Sequence, residues 1–281
     1  MGLPMSEGDK LKELDILSLG AGVQSTTVAL LAVHGEIKKP EHAIFADTGW
    51  EPKEVYDHLQ WLKPIMEDAG IQVHIVKKGN LRDDALSLKL NAYNPMPVHT
   101  AIGNTKTGLG RRVCTNVYKI QPVNRKAREL IGLKYRQRWT PEHGYINNLM
   151  GISVDEIQRA KDNRVPYIKN KFPLLELRMK RQDCLNWLDK HGYSAPRSAC
   201  IGCPYHSDFE WRRIKRNPEE WADAVAFDKA IRHLRRDNSD FEGEQYLHTK
   251  CVPLDEVDLE TEEDKGQMTL FDNECEGMCG I

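Results

Sequence analysis

The chain has 281 residues, enough for one sizeable hydrophobic core and a small appendage. Forty per cent of its residues are hydrophobic, 29% are charged and the net charge is −2, which is ordinary for a globular protein in water. No apolar run approaches the length that crosses a bilayer, so a membrane-spanning protein is excluded at this stage.

The amino-terminal segment and the cysteines indicate a cellular compartment. Residues Met1 to Lys12 are polar and lack the apolar stretch of a signal peptide, so we expect a cytoplasmic location. Because cytosolic thiols stay reduced, seven cysteines favour metal or redox chemistry over a disulfide framework. Several basic clusters stand against an acidic stretch from Asp255 to Asp264, which leaves a nucleic-acid face open as an alternative to solvated helices.

The first predicted strand leads into a loop of small residues and then into a helix. Asp15 to Leu17 predict the strand, Ser18 to Thr27 the loop and helix start, and Val28 to Ala32 the apolar helix. Backbone N–H groups at such a junction bind phosphate, and the helix dipole adds partial positive charge. A tight turn capped by Ser25 or Thr26 explains the spacing equally well. The loop is neither a Walker loop nor GxGxxG.

The alternation of strand and helix continues beyond this junction. Further strands are predicted at Ala43 to Phe45 and Val73 to Val76, and helices at Thr26 to His34 and Pro52 to Ala69. This pattern predicts an α/β fold with a doubly wound, mostly parallel sheet. Ligands gather where parallel strands end, which is where the first loop and Asp47-Thr48-Gly49 lie.

The rest of the chain is predicted to be helical, with a tail. Residues Asn91 to Arg112 are rich in Gly, Pro, Asn and Thr and predict a long loop. Tyr145 to Ile152 predict a strand, and Ser153 to Glu156 a capping box that opens a helix. The other predicted helices are Ile120 to Ile131, Arg181 to His191 and two between Asp208 and Arg235. We predict one domain over residues 1–254 and an acidic linker with a flexible, cysteine-containing tail over 255–281.

Five blocks of sequence resemble the phosphoadenosine phosphosulfate reductase family of the PP-loop, or adenine nucleotide alpha-hydrolase-like, superfamily. They are Ser18 to Ser25, Ala43 to Pro52, Cys114 to Arg125, Phe172 to Glu176 with Asp183 and Trp187 following, and Cys200 to Pro204. The resemblance implies the PP-loop fold and an adenine nucleotide, either ATP or a sulfonucleotide (APS or PAPS). The nucleotide-binding residues that it implies are Ser18, Gly20, Gly22, Gln24, Ser25, Thr26, Asp47, Thr48, Gly49 and Gly151.

A CxxC motif at Cys200 to Cys203 fits a redox pair, half a zinc site or half an iron–sulfur site. In the family it joins a cysteine before the Lys-x-x-Pro-x-x-Arg helix in binding a [4Fe–4S] cluster, which implies Cys114, Cys200 and Cys203 as ligands here. Thr115 replaces a second cysteine of the family pattern, so the fourth iron is open or otherwise ligated. Zinc on these three cysteines and His206 is the main alternative, and a metal-free form comes third. Cys184 is expected to be a buried helix residue.

The last residues resemble the flexible tail of the reductases. Glu274 to Gly277 match the family's Glu-Cys-Gly with one insertion, which implies Cys275 as a nucleophile that attacks a sulfonate sulfur. Cys279 would be the resolving thiol. An inert chain end is the other interpretation.

Two features affect the phosphate site. Gln24 stands where ATP-cleaving PP-loops usually carry an Asp that helps to hold Mg²⁺, whereas the reductase branch tolerates a neutral residue there. The reductases' Gly-x-Arg is Gly151-Ile152-Ser153 here, so a phosphate-binding arginine is missing, and any arginine that could substitute is by default a surface or helix-dipole residue. The candidates are Arg111, Arg112, Arg125 and Arg159.

Together these features predict an enzyme of sulfur chemistry that binds an adenine nucleotide. In the first hypothesis a tail cysteine reduces a sulfonucleotide, and an external thiol reductant releases sulfite. In the alternative, ATP adenylates a nucleic-acid base or small molecule, and sulfur from a donor displaces AMP. A third hypothesis is a nucleotide-binding accessory protein of a mobile-element or DNA-modification system that binds a partner protein or nucleic acid. No membrane partner is expected, and oligomerisation is left open.

Overall fold

The computed structural model describes residues 12–88, 95–234 and 243–260. Within these ranges the strands are β1 Glu13–Leu19, β2 His42–Asp47, β3 Gln72–Lys77, β4 His99–Ile102, β5 Thr105–Leu109, β6 Tyr145–Met150, β7 Ile168–Lys171 and β8 Glu244–Tyr246. The α-helices are α1 Val23–Val33, α2 Lys53–Asp68, α3 Leu81–Leu86, α4 Gln121–Leu130, α5 Pro173–Glu176, α6 Arg181–Lys190, α7 Asp208–Lys215 and α8 Pro218–Ile231. No helix in the described ranges is long and apolar enough to span a membrane.

The chain divides into two compact units. The first unit consists of the described residues that fall within Met1–Ala46, Glu54–Val76 and Gln121–Arg197. The second consists of those that fall within Asp47–Lys53, Lys77–Ile120 and Ser198–Ile281. The prediction of one domain over residues 1–254, followed by a tail, stays a prediction.

The first unit is built on a five-stranded sheet in the order β3, β2, β1, β6, β7. The pairs β1–β2, β1–β6 and β6–β7 are parallel. Leu17 in the centre of β1 lies beside Ala43 of β2 and Leu149 of β6. This topology confirms the predicted α/β fold with a mostly parallel sheet.

Helices cover both faces of this sheet, because successive residues of a strand point to opposite sides. Leu17 and Leu19 of β1 are in one buried cluster with residues of α1, α2 and α6. Ile16, which directly precedes Leu17, is in another cluster with Val123 and Ala127 of α4. The sheet is therefore doubly wound, as the sequence predicts.

The order of the strands creates a switch point beside β1. The chain leaves β1 through α1 and reaches β2 on one side, whereas β6 lies on the other side. Open α/β sheets bind ligands at the carboxyl ends of strands at such a point. The small-residue loop after β1 and Gly151 after β6 both lie at this edge.

The second unit combines a small antiparallel sheet with helices. Its strands lie in the order β5, β4, β8, and its core contains Trp211, Phe227 and Tyr118. Buried Asp228 of α8 organises the later chain, because its carboxylate accepts hydrogen bonds from the backbone N–H groups of Leu247 and Leu254 at 2.8 and 3.1 Å. Burial raises the pKa of this carboxyl group.

The prediction of a long loop over Asn91 to Arg112 is wrong for residues 95–112, which are the part that the structure describes. β4 and β5 form an antiparallel hairpin, and Gly103 at the turn has a φ of 54°. Gly103-Asn104 is a known signal for a hairpin turn, so the sequence did carry the information. The exposed, Thr-rich β5 concealed it, and the third strand, β8, comes from far along the chain.

Two other local predictions also differ from the structure. Ser153 precedes a short 3₁₀ helix, Val154–Arg159, but makes no side-chain cap bond; its hydroxyl lies 3.4 Å from Gln24 Nε2 instead. The acidic segment predicted as a linker packs into the second unit as far as Leu259, because Val257 and Leu259 are buried in that unit's core.

Acid should weaken the packing of α2 on α1 through His58. Its Nε2 lies 2.9 Å from the Thr26 hydroxyl, and burial lowers the pKa of His58 to about 4 from the usual 6.5. The unfolded chain therefore binds a proton near pH 6.5 that the folded chain rejects until about pH 4, so stability is complete above pH 6.5 and falls as the pH drops toward 4. We expect His58→Gln to flatten this part of the stability profile, as measured by urea unfolding at several pH values. An unchanged slope between pH 4 and 6.5 would contradict the assignment.

Candidate functional site

The loop between β1 and α1 has the features of an anion site. Gly22 is the N-cap of α1, and the first turn of this helix carries no acidic residue. The Ser25 hydroxyl closes the loop, since its oxygen lies 3.2 and 3.3 Å from the N–H groups of Gly20 and Gly22. Ala21 has a φ of 54°, a conformation that a residue with a side chain rarely adopts and that often marks a functional site. The positive end of α1 is thus available to a phosphate.

Gln24 is held by two residues that follow β6. Its amide nitrogen lies 3.4 Å from the Ser153 hydroxyl and 3.1 Å from a carboxylate oxygen of Glu156. Glu156 is buried and also pairs with Arg159 at 2.6 Å. A carboxylate and an arginine therefore lie beside the loop, even though position 24 is neutral and the family's Gly-x-Arg is absent.

Gly151 lets the end of β6 approach the first turn of α1. A Cβ at this position would lie 2.7 Å from the backbone nitrogen of Ser25 and 2.8 Å from the carbonyl carbon of Gln24. Both atoms belong to the backbone and cannot rotate away. Glycine is therefore required by the close packing of the two segments.

Two predicted phosphate ligands already have partners within the first unit. The Ser18 hydroxyl donates to Asn148 Oδ1 at 2.8 Å, which links β1 to β6. The buried Thr26 hydroxyl pairs with His58. Gly20, Gly22 and Ser25 form the loop itself.

Asp47, Thr48 and Gly49 lie in the second unit. The Asp47 carboxylate accepts the Gly49 N–H at 2.7 Å and pairs with Lys77 at 3.2 Å. Gly49 has a φ of 75°, which explains glycine in this turn. Thr48 lines a pocket together with cysteines, and a nucleotide role for these three residues stays a prediction.

The second unit brings together the three cysteines that the family resemblance implies as metal ligands. Cys114, Cys200 and Cys203 line one pocket of about 390 Å³, including the part that opens to solvent. The other residues that line it are Thr48, Leu81, Met96, Pro97, Arg112, Thr115, Lys119, Pro204 and Tyr205.

Local structure explains how these cysteines are positioned. Cys114 comes directly before a π-helix, Thr115–Ile120, and its N–H donates to the Pro95 carbonyl at 2.7 Å. The CxxC forms a turn in which the Cys203 N–H donates to the Cys200 carbonyl at 3.1 Å. Any Cβ at Gly202 would overlap the Trp50 ring, so the turn packs against that ring only with glycine.

Charged side chains surround the cysteines. Buried Glu51 places Oε1 3.4 Å from the Cys200 sulfur, 3.0 Å from the Thr48 hydroxyl and 3.3 Å from Lys119 Nζ. Arg112 donates to the Thr115 hydroxyl at 2.9 Å and lies over the Tyr205 ring. The carboxylate nearest to a cysteine sulfur, that of Glu51, is thus paired with a cation, Lys119, and a thiol loses its proton when it binds a metal.

From the sequence we predicted no role in this pocket for Glu51 or Lys119, and Arg112 was a candidate only as a phosphate ligand. Both Glu51 and Lys119 lie inside blocks of the family resemblance, one after the Asp-Thr-Gly turn and the other after Cys114. An acidic residue at the end of a motif, such as Glu51 after the Asp-Thr-Gly turn, is a sequence signal for a functional role. The pairing with Cys200 depends on the tertiary structure.

The other candidate arginines lie elsewhere. Arg125 is exposed on α4 and is 3.7 Å from Glu129. Arg111 belongs to the second unit, as does Arg112. Of the four candidates, Arg159 is the one that the structure connects to the loop, through Glu156 and Gln24.

The donor set of the pocket suits a sulfur-liganded metal centre. Three cysteine sulfurs are soft ligands, and such sets bind iron–sulfur clusters or zinc. His206, the fourth ligand of the zinc alternative, does not line the pocket, and its Nε2 lies 2.9 Å from the Cys200 carbonyl. That contact gives His206 a role in holding the CxxC turn.

The two other cysteines that the structure describes, Cys184 and Cys251, do not line this pocket. Cys184 is fully buried in α6, as expected, and burial raises its pKa to about 12. Cys251 is half-buried, and burial raises its pKa as well. The predicted catalytic residues Cys275 and Cys279 lie outside the described residues.

Comparisons with known proteins add one similarity. No family model and no curated protein matches the sequence. Among solved structures, the chain is similar to the U34-tRNA thiolase NcsA from Methanococcus maripaludis, determined with its [4Fe–4S] cluster. The two share 16% sequence identity, the match covers 84% of this chain and 79% of that chain, and the TM-score is 0.43.

Proposed function

We propose that this chain is a PP-loop enzyme that binds ATP and transfers sulfur to an activated acceptor. The loop from Gly20 to Ser25 at the start of α1 supports the nucleotide part, because the first turn of α1 carries no acidic residue and the helix dipole favours phosphate at this end. Glu156 positions Gln24 beside this loop and holds Arg159 close to it as well.

The second part of the proposal is a [4Fe–4S] cluster held by Cys114, Cys200 and Cys203. Three soft thiols suit a cluster, and Lys119 offsets the charge of the Glu51 carboxylate beside Cys200. Cys114, Cys200 and Cys203 would hold such a cluster through three thiolates, and a cluster held in this way would supply a position for a sulfur atom that is to be transferred.

The number of cysteines in the pocket is the observation that favours sulfur transfer over sulfonucleotide reduction. Three cysteines and no other line it within the described ranges 12–88, 95–234 and 243–260. A closed four-cysteine cluster would serve structure or electrostatics, whereas an open one serves a substrate sulfur. In the proposed reaction an acceptor oxygen attacks the α-phosphorus of ATP and pyrophosphate leaves. A sulfur donor then attacks the activated carbon, and AMP leaves with that oxygen.

The proposal is tested by following the nucleotide products. Anaerobic protein, reconstituted with iron and sulfide, is incubated with Mg²⁺, α-labelled ATP, a sulfide donor and bulk RNA or small-molecule acceptors. We expect AMP and pyrophosphate to form in equal amounts, together with sulfur in the acceptor. Sulfite release from APS or PAPS, with no AMP from ATP, would refute the proposal in favour of reduction.

A truncation separates the two chemistries. Ending the chain after Glu260 keeps Val257 and Leu259, which belong to the second unit's core, and removes both tail cysteines. We expect the truncated protein to bind ATP and to transfer sulfur like the full chain, since neither site uses the tail. The double substitution Cys275→Ser and Cys279→Ser in the full chain should behave in the same way. Loss of turnover in both variants would assign the chemistry to the tail.

A further inference from the structure

The carboxyl ends of two helices in the first unit meet at a cluster of metal-ligating side chains. His34 is the C-cap of α1, and His191 is the C-cap of α6. Glu36 follows α1 by three residues. One ligand atom from each of these side chains lies within 4.8 Å of the others, and His34 and Glu36 are exposed while His191 is half-buried.

Each of the three side chains is oriented by a neighbour. His191 Nδ1 lies 2.7 Å from the Trp187 carbonyl, so this nitrogen donates a proton and leaves Nε2 as the ligand atom. The Trp187 indole N–H donates to the Glu36 carboxylate at 3.2 Å. The Tyr193 hydroxyl lies 3.1 Å from His34 Nε2. Metal-binding histidines and carboxylates are typically held by outer hydrogen bonds of this kind.

Aromatic packing and helix electrostatics add to this arrangement. The Trp187 ring stacks on the His191 ring with centroids 4.1 Å apart, which restricts the rotation of the imidazole. His34 packs edge-on against the Tyr193 ring at 5.8 Å. The carboxyl end of a helix carries partial negative charge, and here two such ends, together with the Glu36 carboxylate, favour a cation.

We propose that His34, Glu36 and His191 form a surface site for a divalent transition-metal ion of the zinc type. Two imidazoles and one carboxylate are a ligand set that Zn²⁺ accepts in tetrahedral sites, with a fourth position left to water. Ligand atoms on one zinc ion lie roughly 3.3 Å apart, which small rotations of the exposed His34 and Glu36 side chains achieve. Bound metal would join the end of α1 to the end of α6. The site is separate from the cysteine pocket and does not depend on the proposed function.

Zinc titration of the full chain tests the site. Calorimetry under anaerobic conditions compares the wild type with His34→Gln, Glu36→Gln and His191→Gln. His233→Gln is the matched control, because His233 is an exposed histidine 3.5 Å from a glutamate, Glu244. All five proteins, the wild type, the three variants and the control, keep their cysteines, so any zinc bound by cysteines contributes equally to each titration. We expect the wild type and the control to bind one more equivalent of Zn²⁺ than each of the three variants. Removal of an outer hydrogen bond lowers metal affinity roughly 10–100-fold, and loss of a ligand should lower the zinc affinity of this site by more than that.

A spectroscopic measurement gives an independent readout. Ni²⁺ bound beside Trp187 should quench its fluorescence in the wild type and in His233→Gln, and the three ligand variants should lose this quenching. His34→Gln and Glu36→Gln alter exposed side chains, so they carry the test even if His191→Gln unfolds. Equal zinc stoichiometry and equal quenching in all five proteins would overturn the proposal and leave the cluster as aromatic surface packing.

Discussion

Replacing Cys203 with Ala should leave the anaerobically purified protein without iron and without ATP-dependent sulfur transfer. Cys203 is one of three sulfur ligands in the pocket, and two thiolates cannot retain a cluster that three hold. Because the loop at Gly20 to Ser25 lies in the first unit, ATP binding should stay close to that of the wild type. Iron and sulfide assays, the visible absorption spectrum and AMP formation measure the three effects.

Cys251→Ser is the matched control for this substitution. Cys251 is in the same unit and is half-buried, but it does not line the pocket. We expect this variant to keep its iron and its activity. If the Cys203→Ala protein were brown and held the full iron content, the cysteine pocket would not be the metal site. If the wild-type protein held stoichiometric zinc and no iron, the pocket would be a zinc site and not a cluster site.

Gly151→Ala should destabilise the first unit and abolish tight ATP binding. The new methyl group would lie 2.7 Å from the Ser25 nitrogen, so β6 and the first turn of α1 would have to move apart. Overpacking of this kind costs typically about 1–3 kcal/mol. The same movement would displace the N–H groups of Gly20 and Gly22, which are held by the Ser25 hydroxyl. Urea unfolding and calorimetric titration with ATP measure the two effects.

Gly108→Ala is the matched control, because it shows whether replacing a glycine by alanine at a position with room for a methyl group affects ATP binding. A Cβ at Gly108 would lie 3.7 Å from the Thr100 hydroxyl, an ordinary van der Waals contact. We expect this variant to bind ATP with wild-type affinity. If Gly151→Ala also bound ATP normally, the loop at the start of α1 would no longer be the candidate nucleotide site.

Local sequence determined the elements that surround the first loop. The run from Asp15 to Ala32 changes from a strand period to a helix period across a few small residues, and the structure places β1 and α1 there. The strands β2 and β3 and the helix α2 were predictable for the same reason, since each is specified by the periodicity of its own side chains. Their alternation also indicated a parallel sheet.

Other features could be recognised only in the tertiary structure. The pairing of β4 with β8 is one of them, because β8 is distant in sequence, although the turn between β4 and β5 does carry a sequence signal. The Ser153 hydroxyl appeared to be a helix cap, but a residue of α1, Gln24, competes for it. Glu156 was likewise invisible as a neighbour of the loop, and nothing distinguished Arg159 from the other candidate arginines, because β6 and β1 are adjacent only in the folded sheet.

The cysteine pocket shows the same division. The CxxC turn is local, so the sequence alone could indicate a tight turn that contains Gly202. The Trp50 ring, which leaves no room for a side chain at Gly202, lies far away in sequence. Which distant cysteine joins it was suggested by resemblance, and the fold brings Cys114 into the same pocket. Packing alone decided that Glu51 contacts both Cys200 and Lys119. A buried carboxylate needs polar partners, and the fold determines which partners it meets. By itself, the sequence determined the elements and their ligand types, whereas the tertiary structure decided which side chains share a site, because those contacts join residues that no local pattern relates.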